Sequence, residues 1–353
     1  MFLALKEIKH EKLRYGLIIL MIFLISYLIF MLSSLAVGLA SQNTQAIKGW
    51  KAQKIVLNKN ANVSLSQSIL TKNDLKDAKI GKNEAVIGQL GIVAKKKGKT
   101  SISAQFLGVK KDQFIYQDQD LVAGKKAKTN NQVTVDSSFR DKGYRLGDKI
   151  TLNGSKKKYT IVGFANNAKI NIAPIVYGSM KTWKKLRMVA PNVAAAAIIS
   201  KKSNYKFNHA DAKTYPIKTF INKLPGYTAQ NLTFELMIGF LFVISLIVIA
   251  VFLYILTMQK MHNFAVMRAQ GIPSKTLVGA TISQSVILVV IGVVIAIILM
   301  WLTDLALPSA VPMTFTPTIM ISGSLGMLVM GIIGSLIPIK SILKVDPAKA
   351  IGE

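Results

Sequence analysis

The sequence predicts an α-helical membrane protein with four transmembrane helices and an inserted α+β extracytoplasmic domain. Three observations lead there. Hydrophobic residues make up 51% of the 353-residue chain and are clustered rather than dispersed, giving a mean hydropathy of +0.40 that is too high for an ordinary soluble domain. The runs Tyr15 to Leu39, Leu236 to Met258 and Leu277 to Leu302 carry no charge, and a fourth apolar run extends from about Ile319 to Ile339. Each is long enough for a helix that crosses about 30 Å of hydrocarbon with about 20 residues. Lys and Arg gather at alternate ends of these runs, so one orientation satisfies all four.

Taken in order, residues 1–14 read as a cytoplasmic amphipathic helix, with Phe2, Leu5 and Ile8 on one side and Lys6, Lys9 and Lys12 on another. That pattern suits the anionic inner leaflet. Residues 15–40 form the first transmembrane helix; the run is too long for the h-region of a secretory signal, about 7–15 residues, although the small residues near Val37 to Ser41 invite that comparison. The flanking Lys6, Lys9, Lys12 and Arg14 place the N-terminus inside.

Residues 41–232 are polar and contain no span. Runs at Ile55–Leu57, Ala85–Leu90, Ser101–Val109, Gln132–Val135, Lys149–Leu152 and Tyr159–Phe164 read as strands. Asn153-Gly154 marks a hairpin between the last two. Leu70–Ala78 and Ser179–Leu186 read as helices, the first with Thr71 and Asp74 at capping distance. This is the α+β extracytoplasmic domain.

The second transmembrane helix covers residues 233–258 and the third 276–302. Residues 259–275 between them form a cytoplasmic coupling segment, in which Met261, Phe264, Ala265 and Arg268 recur at the spacing of a short amphipathic helix. Gly271 is placed to end that helix and Pro273 to begin the next. Such an element can dock into a partner's groove or lie on the membrane surface. The outer loop, residues 303–318, holds Asp304 and three prolines but no Lys or Arg. The fourth transmembrane helix spans 319–339, and residues 340–353 form a cytoplasmic tail with Lys340, Lys344 and Lys349. Gly292 and Ala296 in the third span, and Gly323, Gly326, Gly331, Gly334 and Ser335 in the fourth, provide small faces for close packing within the bundle.

Composition excludes several classes. The chain has no Cys, so disulfides, thiolate metal sites and Cys nucleophiles are out. His10, His209 and His262 are far apart in sequence, which disfavours a His-rich metal site. No G-x-x-x-x-G-K-[ST], H-E-x-x-H or Ser/His/Asp spacing occurs, so the chain reads as a non-catalytic subunit that depends on a separate ATPase. Residues 41–232 carry 35 Lys and Arg against 10 Asp and Glu, a surplus of 25. Spans on both sides and the lack of aromatics among the Lys runs argue against nucleic acid. A solvated surface facing an anionic envelope fits better.

Two stretches carry a resemblance. "MHNFAVMRAQGIPSKTL" (Met261 to Leu277) resembles the linker of FtsX/MacB-type ABC-transporter permeases, and "KVDPAKAIG" (Lys344 to Gly352) resembles that family's ending. The segment Tyr144 to Trp183 is similar to a strand–hairpin–strand unit of the family's extracytoplasmic domain. The opening "MFLALKEIKHEKLRYGLIIL" together with "FLYILTMQKMHNFAVMRAQGI" is most similar to the HrtB/DevC haem-exporter branch. The resemblance implies a permease in the bacterial plasma membrane, assembled as two copies with two ABC ATPase subunits that bind the ATP. It implies Met261, Phe264, Arg268 and Gly271 as ATPase-coupling residues. It also implies export of a membrane-partitioning amphiphile, haem foremost, with no permanently bound cofactor. Two alternatives stay open: an FtsX-like relay that acts on an extracytoplasmic hydrolase, and export of a peptide or lipid.

A haem site needs apolar and aromatic walls, an iron ligand, and access from lipid. The outer half of the first span offers Tyr27, Phe30, Met31 and Ser34; the start of the second offers Phe234, Glu235 and Met237. Met31 and Glu235 are the candidate iron contacts, Glu235 because a carboxylate at a membrane boundary marks function. Tyr27, Phe30 and Phe234 are candidate walls. Packing and interfacial roles are the plainer alternative for each. No other metal site is expected.

Overall fold

The computed structural model describes residues 11–308 and 311–343. The first ten residues of the expected N-terminal helix, and the Lys344 to Gly352 ending with Lys349, lie outside the described residues. The chain divides into two compact units, one made of Met1–Gly38 with Asn231–Glu353 and the other of Leu39–Gln230.

Among the described residues, four helices are long and apolar enough to cross a membrane. Helix α1 (Lys12–Gly49) is the first. It runs ten residues past Leu39, the last apolar residue of the predicted span, because the polar stretch that follows keeps helical bonding and buries Ala46 and Ile47 in the inserted domain's core. Two short helices of that domain follow, α2 (Phe114–Gln117) and α3 (Ser138–Asp141). Next come α4 (Met180–Arg187), α5 (Ile217–Asn222) and the second span α6 (Tyr227–Gln259). A linker helix α7 (Met261–Ala269) leads to the third span α8 (Ser274–Ala306). The fourth is α9 (Pro317–Gly334), continued after a break at Ser335 by α10 (Leu336–Leu343).

The small residues of the spans are sites of close internal approach. A Cβ added at Gly292 would stand 2.7 Å from the Ile22 side chain, at Gly323 2.7 Å from the Phe30 ring, at Gly326 2.6 Å from Phe242 and at Gly331 2.7 Å from Val289. Ser285 also donates a hydrogen bond to the Gly331 carbonyl at 2.7 Å. Without an aqueous hydrophobic effect to drive association, such backbone-level contacts and shared hydrogen bonds hold membrane helices together. Leu13, Leu17, Leu20, Leu24 and Leu28 form an exposed apolar stripe along α1, as a lipid-facing surface requires.

The inserted domain is built on strands β1 (Lys54–Asn58), β2 (Leu70–Thr71), β3 (Glu84–Lys95), β4 (Ile102–Val109), β5 (Leu121–Gly124), β6 (Gln132–Asp136), β7 (Lys149–Leu152), β8 (Lys158–Ala165), β9 (Lys169–Ile170), β10 (Ala173–Ser179), β11 (Val193–Ala195), β12 (Ala197–Ser200) and β13 (Ala212–Pro216). All six predicted strands are present. The long β3 belongs to two systems. Its first half pairs with β12 in the order β13-β1-β12-β3. Its second half pairs with β4 and β7, and the succession β3-β4-β10-β6-β8-β7-β3 closes on itself as a six-stranded barrel. Closure leaves no open edge in that half. Asn153 and Gly154 both take positive φ, 50° and 69°, and turn β7 into β8 as the sequence predicts.

A row of glycines makes room for the largest core side chain. Gly88, Gly108 and Gly178 lie side by side on β3, β4 and β10. Trp183, fully buried on α4, lies over Gly88 and Gly108, and Phe106 over Gly178. The Trp183 indole N–H donates to the Gln89 carbonyl at 2.9 Å, so the one polar atom of that ring is paired.

The helix expected at Leu70–Ala78 does not form. Thr71 and Asp74 do make the reciprocal bonds of a capping pattern: the Thr71 N–H donates to the Asp74 carboxylate at 2.8 Å, and the Asp74 N–H to the Thr71 hydroxyl at 3.1 Å. Instead of winding on, Leu70 and Thr71 pair with β11, and Asp77 takes a φ of 68°. Local capping chemistry lost to a tertiary strand pairing.

An ion cluster ties the end of β3 to the approach to β7. Burial alone would raise the Asp148 carboxyl, but hydrogen bonds from Lys96, the Arg145 N–H and Lys99 outweigh it and hold the group at about 2. A depressed carboxylate contributes stability above its unfolded value of about 3.9 and loses it as pH falls toward the folded value. Asp148→Asn should therefore lower the melting temperature at neutral pH, and the gap to the parent should shrink progressively below about pH 4. Thermal denaturation across pH measures it.

Candidate functional site

Two places in the helix unit carry the residues expected to act. The first is the half of the spans that holds Tyr27 to Ser34 of α1 and the start of α6. The Tyr27 hydroxyl is within hydrogen-bond reach of Thr303 on α8, at 3.0 Å. Phe30 is fully buried, its ring seated on Gly323 of α9. Met31, one residue on, is half-buried at the border between that packed cluster and the exposed stripe of α1. Ser34 is buried, and its carbonyl accepts from the Thr314 N–H at 3.1 Å. On α6, Phe234 is half-buried and Glu235 exposed. The five residues therefore separate. Phe30 is closed in against the fourth span and Tyr27 is tied to the third, while Tyr27, Met31 and Phe234 are half-buried and Glu235 is exposed. Ser26 and Ser34 on α1 bury their hydroxyls with no partner, so two polar atoms lie one helical turn to either side of Phe30. Tyr27's tether to Thr303 could not be found by periodicity within one helix.

The second place is the linker helix. Phe264 and Ala265 are buried; Phe264 packs with Leu277 of α8 and Ile342 of α10, and Met261, Met267, Ile272 and Val278 close around it. The apolar face read from the sequence therefore anchors α7 onto its own bundle. Met261 and Arg268 are half-buried. Gly271 is exposed with a φ of 88°, which an L side chain adopts only under strain, and so it ends the helix. The outward side is His262, Asn263, Val266, Ala269 and Gln270, all exposed. These recur at i, i+1, i+4, i+7 and i+8, one uncharged helical face.

Polar contacts lock the entry to α7. Lys260 donates to the Tyr15 hydroxyl at 2.8 Å, Gln284 of α8 donates to the same oxygen, and Arg14 donates to the Gln259 side chain at 2.9 Å. Tyr15 is almost completely buried. The first, second and third spans thus meet at one shared hydroxyl. Gln284 was visible in sequence only as a polar residue in an otherwise apolar run.

Four apolar helices, close-packed on glycines, with a domain inserted after the first and an anchored linker helix after the second, define a multispan membrane protein. Residues 235–347 match the FtsX-like permease C-terminal family. The chain is homologous along its whole length to proteins of staphylococci named hemin transport system permease protein HrtB. The one from Staphylococcus haemolyticus is 26% identical over 100% of this chain and 99% of the relative. The one from Staphylococcus epidermidis ATCC 12228 is 29% identical over the same shares. Among solved structures, the periplasmic region of MacB from Actinobacillus actinomycetemcomitans aligns at a TM-score of 0.36 and 14% identity, covering 50% of this chain and 96% of that one.

Proposed function

We propose that the chain is the membrane subunit of an ABC exporter that moves a membrane-partitioning amphiphile, haem, outward by mechanical coupling to a separate ATPase. The observation that carries this reading is the full-length likeness to relatives whose names assign them hemin transport. The termini and α7 lie in the cytoplasm and the inserted domain outside. Support comes from Lys12, Arg14, Lys260, Arg268, Lys275 and Lys340 at one set of helix ends, and from the absence of Lys and Arg over residues 303–318 at the other.

The ATPase docks on the uncharged outward face of α7, with Phe264 holding the helix to the bundle and Gly271 setting its end. Met31 and Glu235 are the iron contacts, and Phe234 is a wall. Tyr27 and Phe30 act from behind, keeping α1 seated on the third and fourth spans. Two copies of the chain present these residues to one groove open to the outer leaflet, where haem already dissolved in lipid enters sideways. The spans carry no polar stripe of the kind an aqueous channel needs.

Soret spectroscopy of the purified, haem-loaded permease tests the site. Met31→Ala and Glu235→Gln should each shift the Soret band and weaken haem binding by about tenfold, the scale of one lost coordinating or hydrogen-bonded contact. The double variant should add little to the stronger single one, because both act on one bound ligand. Unaltered spectra and affinity in both variants would remove these residues from the site.

A further inference from the structure

The inserted domain contains a cleft that membrane export does not use. Strand β10 pairs with β6 only at Val176 and Tyr177. Gly178 and Ser179 therefore run on past the end of that pairing, and they line a cleft together with residues 127–130. The opening has a volume of about 340 Å³, and its lining includes Lys111, Tyr116, Gln119, Lys128, Asn130 and Ser179. Its floor is fixed. Ser179 donates to the Asn130 side-chain oxygen at 2.6 Å and accepts from the Thr182 N–H at 3.1 Å, where α4 begins.

Gln119 is the unusual member. Both polar atoms of its side-chain amide are buried, and neither has a hydrogen-bond partner. A buried donor and acceptor left unpaired destabilise a fold, and natural domains keep few of them. The carboxylates on either side of it in sequence are engaged elsewhere: Asp118 pairs with Lys201 at 2.6 Å, and Asp120 accepts from Asn166 at 3.2 Å. No acidic side chain lines the cleft, whereas Lys111 and Lys128 do.

We propose that this cleft binds the carboxyl end of a peptide. Gln119 presents a donor and an acceptor side by side, and an extended peptide residue matches both, its carbonyl accepting from Nε2 while the same residue's own N–H donates to Oε1. Sulfate supplies acceptors alone and leaves Oε1 unpaired; inorganic phosphate carries an O–H donor but nothing to cover the Tyr116 ring. A C-terminal carboxylate next to that amide meets the ammonium of Lys111 or Lys128, a charge-assisted contact. Tyr116 adds an apolar wall. The class of ligand is thus a short peptide with a free carboxylate.

Calorimetric titration of the purified full-length chain in lipid nanodiscs tests this with three probes: trialanine, trialanine amidated at its C-terminus, and inorganic phosphate. Trialanine should bind saturably. The amidated peptide should bind about tenfold more weakly, and phosphate should give no saturable heat. Gln119→Met, which keeps the length and removes the amide, should weaken trialanine by about tenfold while raising the melting temperature of the unliganded chain, since it removes an unpaired buried group. Lys111→Gln with Lys128→Gln should weaken trialanine but leave the amidated peptide unchanged. The proposal is overturned if phosphate binds as tightly as trialanine, if Gln119→Met keeps full affinity, if the lysine pair affects both peptides equally, or if no probe binds at about 10 mM.

Discussion

Gly88→Val should unfold the inserted domain's core. A Cβ at Gly88 would overlap the Trp183 ring, and the Trp183 Cβ stands 2.6 Å from where a Cβ of Gly108 would be. Trp183 cannot yield. It is fully buried, its N–H is bound to Gln89, and Arg187 one turn along α4 donates to the same carbonyl at 3.1 Å. Overpacking of this kind costs typically about 1–3 kcal/mol and more when the obstructing ring has no free rotamer; loss of the indole bond adds about 1 kcal/mol. The melting temperature of the purified chain should fall by about 10 °C or more. Gly91→Val on the same strand, where a Cβ meets nothing within 4 Å, should leave it nearly unchanged.

Phe264→Asp should release the linker helix from the bundle and abolish ATPase assembly. Phe264 is almost wholly buried among Leu277, Ile342, Met267 and Val278. Truncating such a ring costs about 3–5 kcal/mol, and leaving a carboxylate in its place costs more. Since α7 makes the contacts of only two and a half turns, this exceeds what holds it in position. Val266→Asp on the outward face gives the contrast: it should weaken ATPase binding with no change in the melting temperature. Co-purification with the ATPase, read together with thermal denaturation, separates anchoring from docking. If Phe264→Asp retains a full complement of ATPase and full ATP hydrolysis, the linker is not the docking element.

Much of the fold was legible because its signals are local. Spans announce themselves as uncharged runs and the β7–β8 hairpin as Asn153-Gly154. What stayed hidden depends on partners distant in sequence. Thr71 and Asp74 carry a helix-start pattern, yet Leu70 and Thr71 are taken up by a strand more than a hundred residues away. The glycine row on β3, β4 and β10 has meaning only once three strands are aligned under Trp183. Barrel closure hangs on β7 meeting the far end of β3, a contact no periodicity encodes.

The candidate site divides the same way. The amphipathic period of α7 was readable, but not the direction in which it points. Phe264 reads as a docking residue until Ile342 and Leu277 are seen beneath it. Along α1, residue type singled out Tyr27, Phe30 and Met31 together, and their partners then separate them. Phe30 is closed in by Gly323, Tyr27 is half-buried and tied to Thr303, and Met31 is half-buried against the same packed cluster. A glycine opposite an aromatic ring on another helix is the kind of pairing that a single sequence does not reveal.

The account rests on outward movement of haem driven by a separate ATPase, and reconstitution measures that directly. The permease and its ATPase are incorporated into vesicles whose membrane is loaded with haem, oriented so that α7 and the ATP site face the outside medium. ATP should drive haem into the lumen, where an enclosed haem-binding protein reports it by its Soret band. Met31→Ala with Glu235→Gln should suppress that transfer while ATP hydrolysis continues. Haem that crosses equally with and without ATP, or as fast in the double variant as in the parent, would contradict the account.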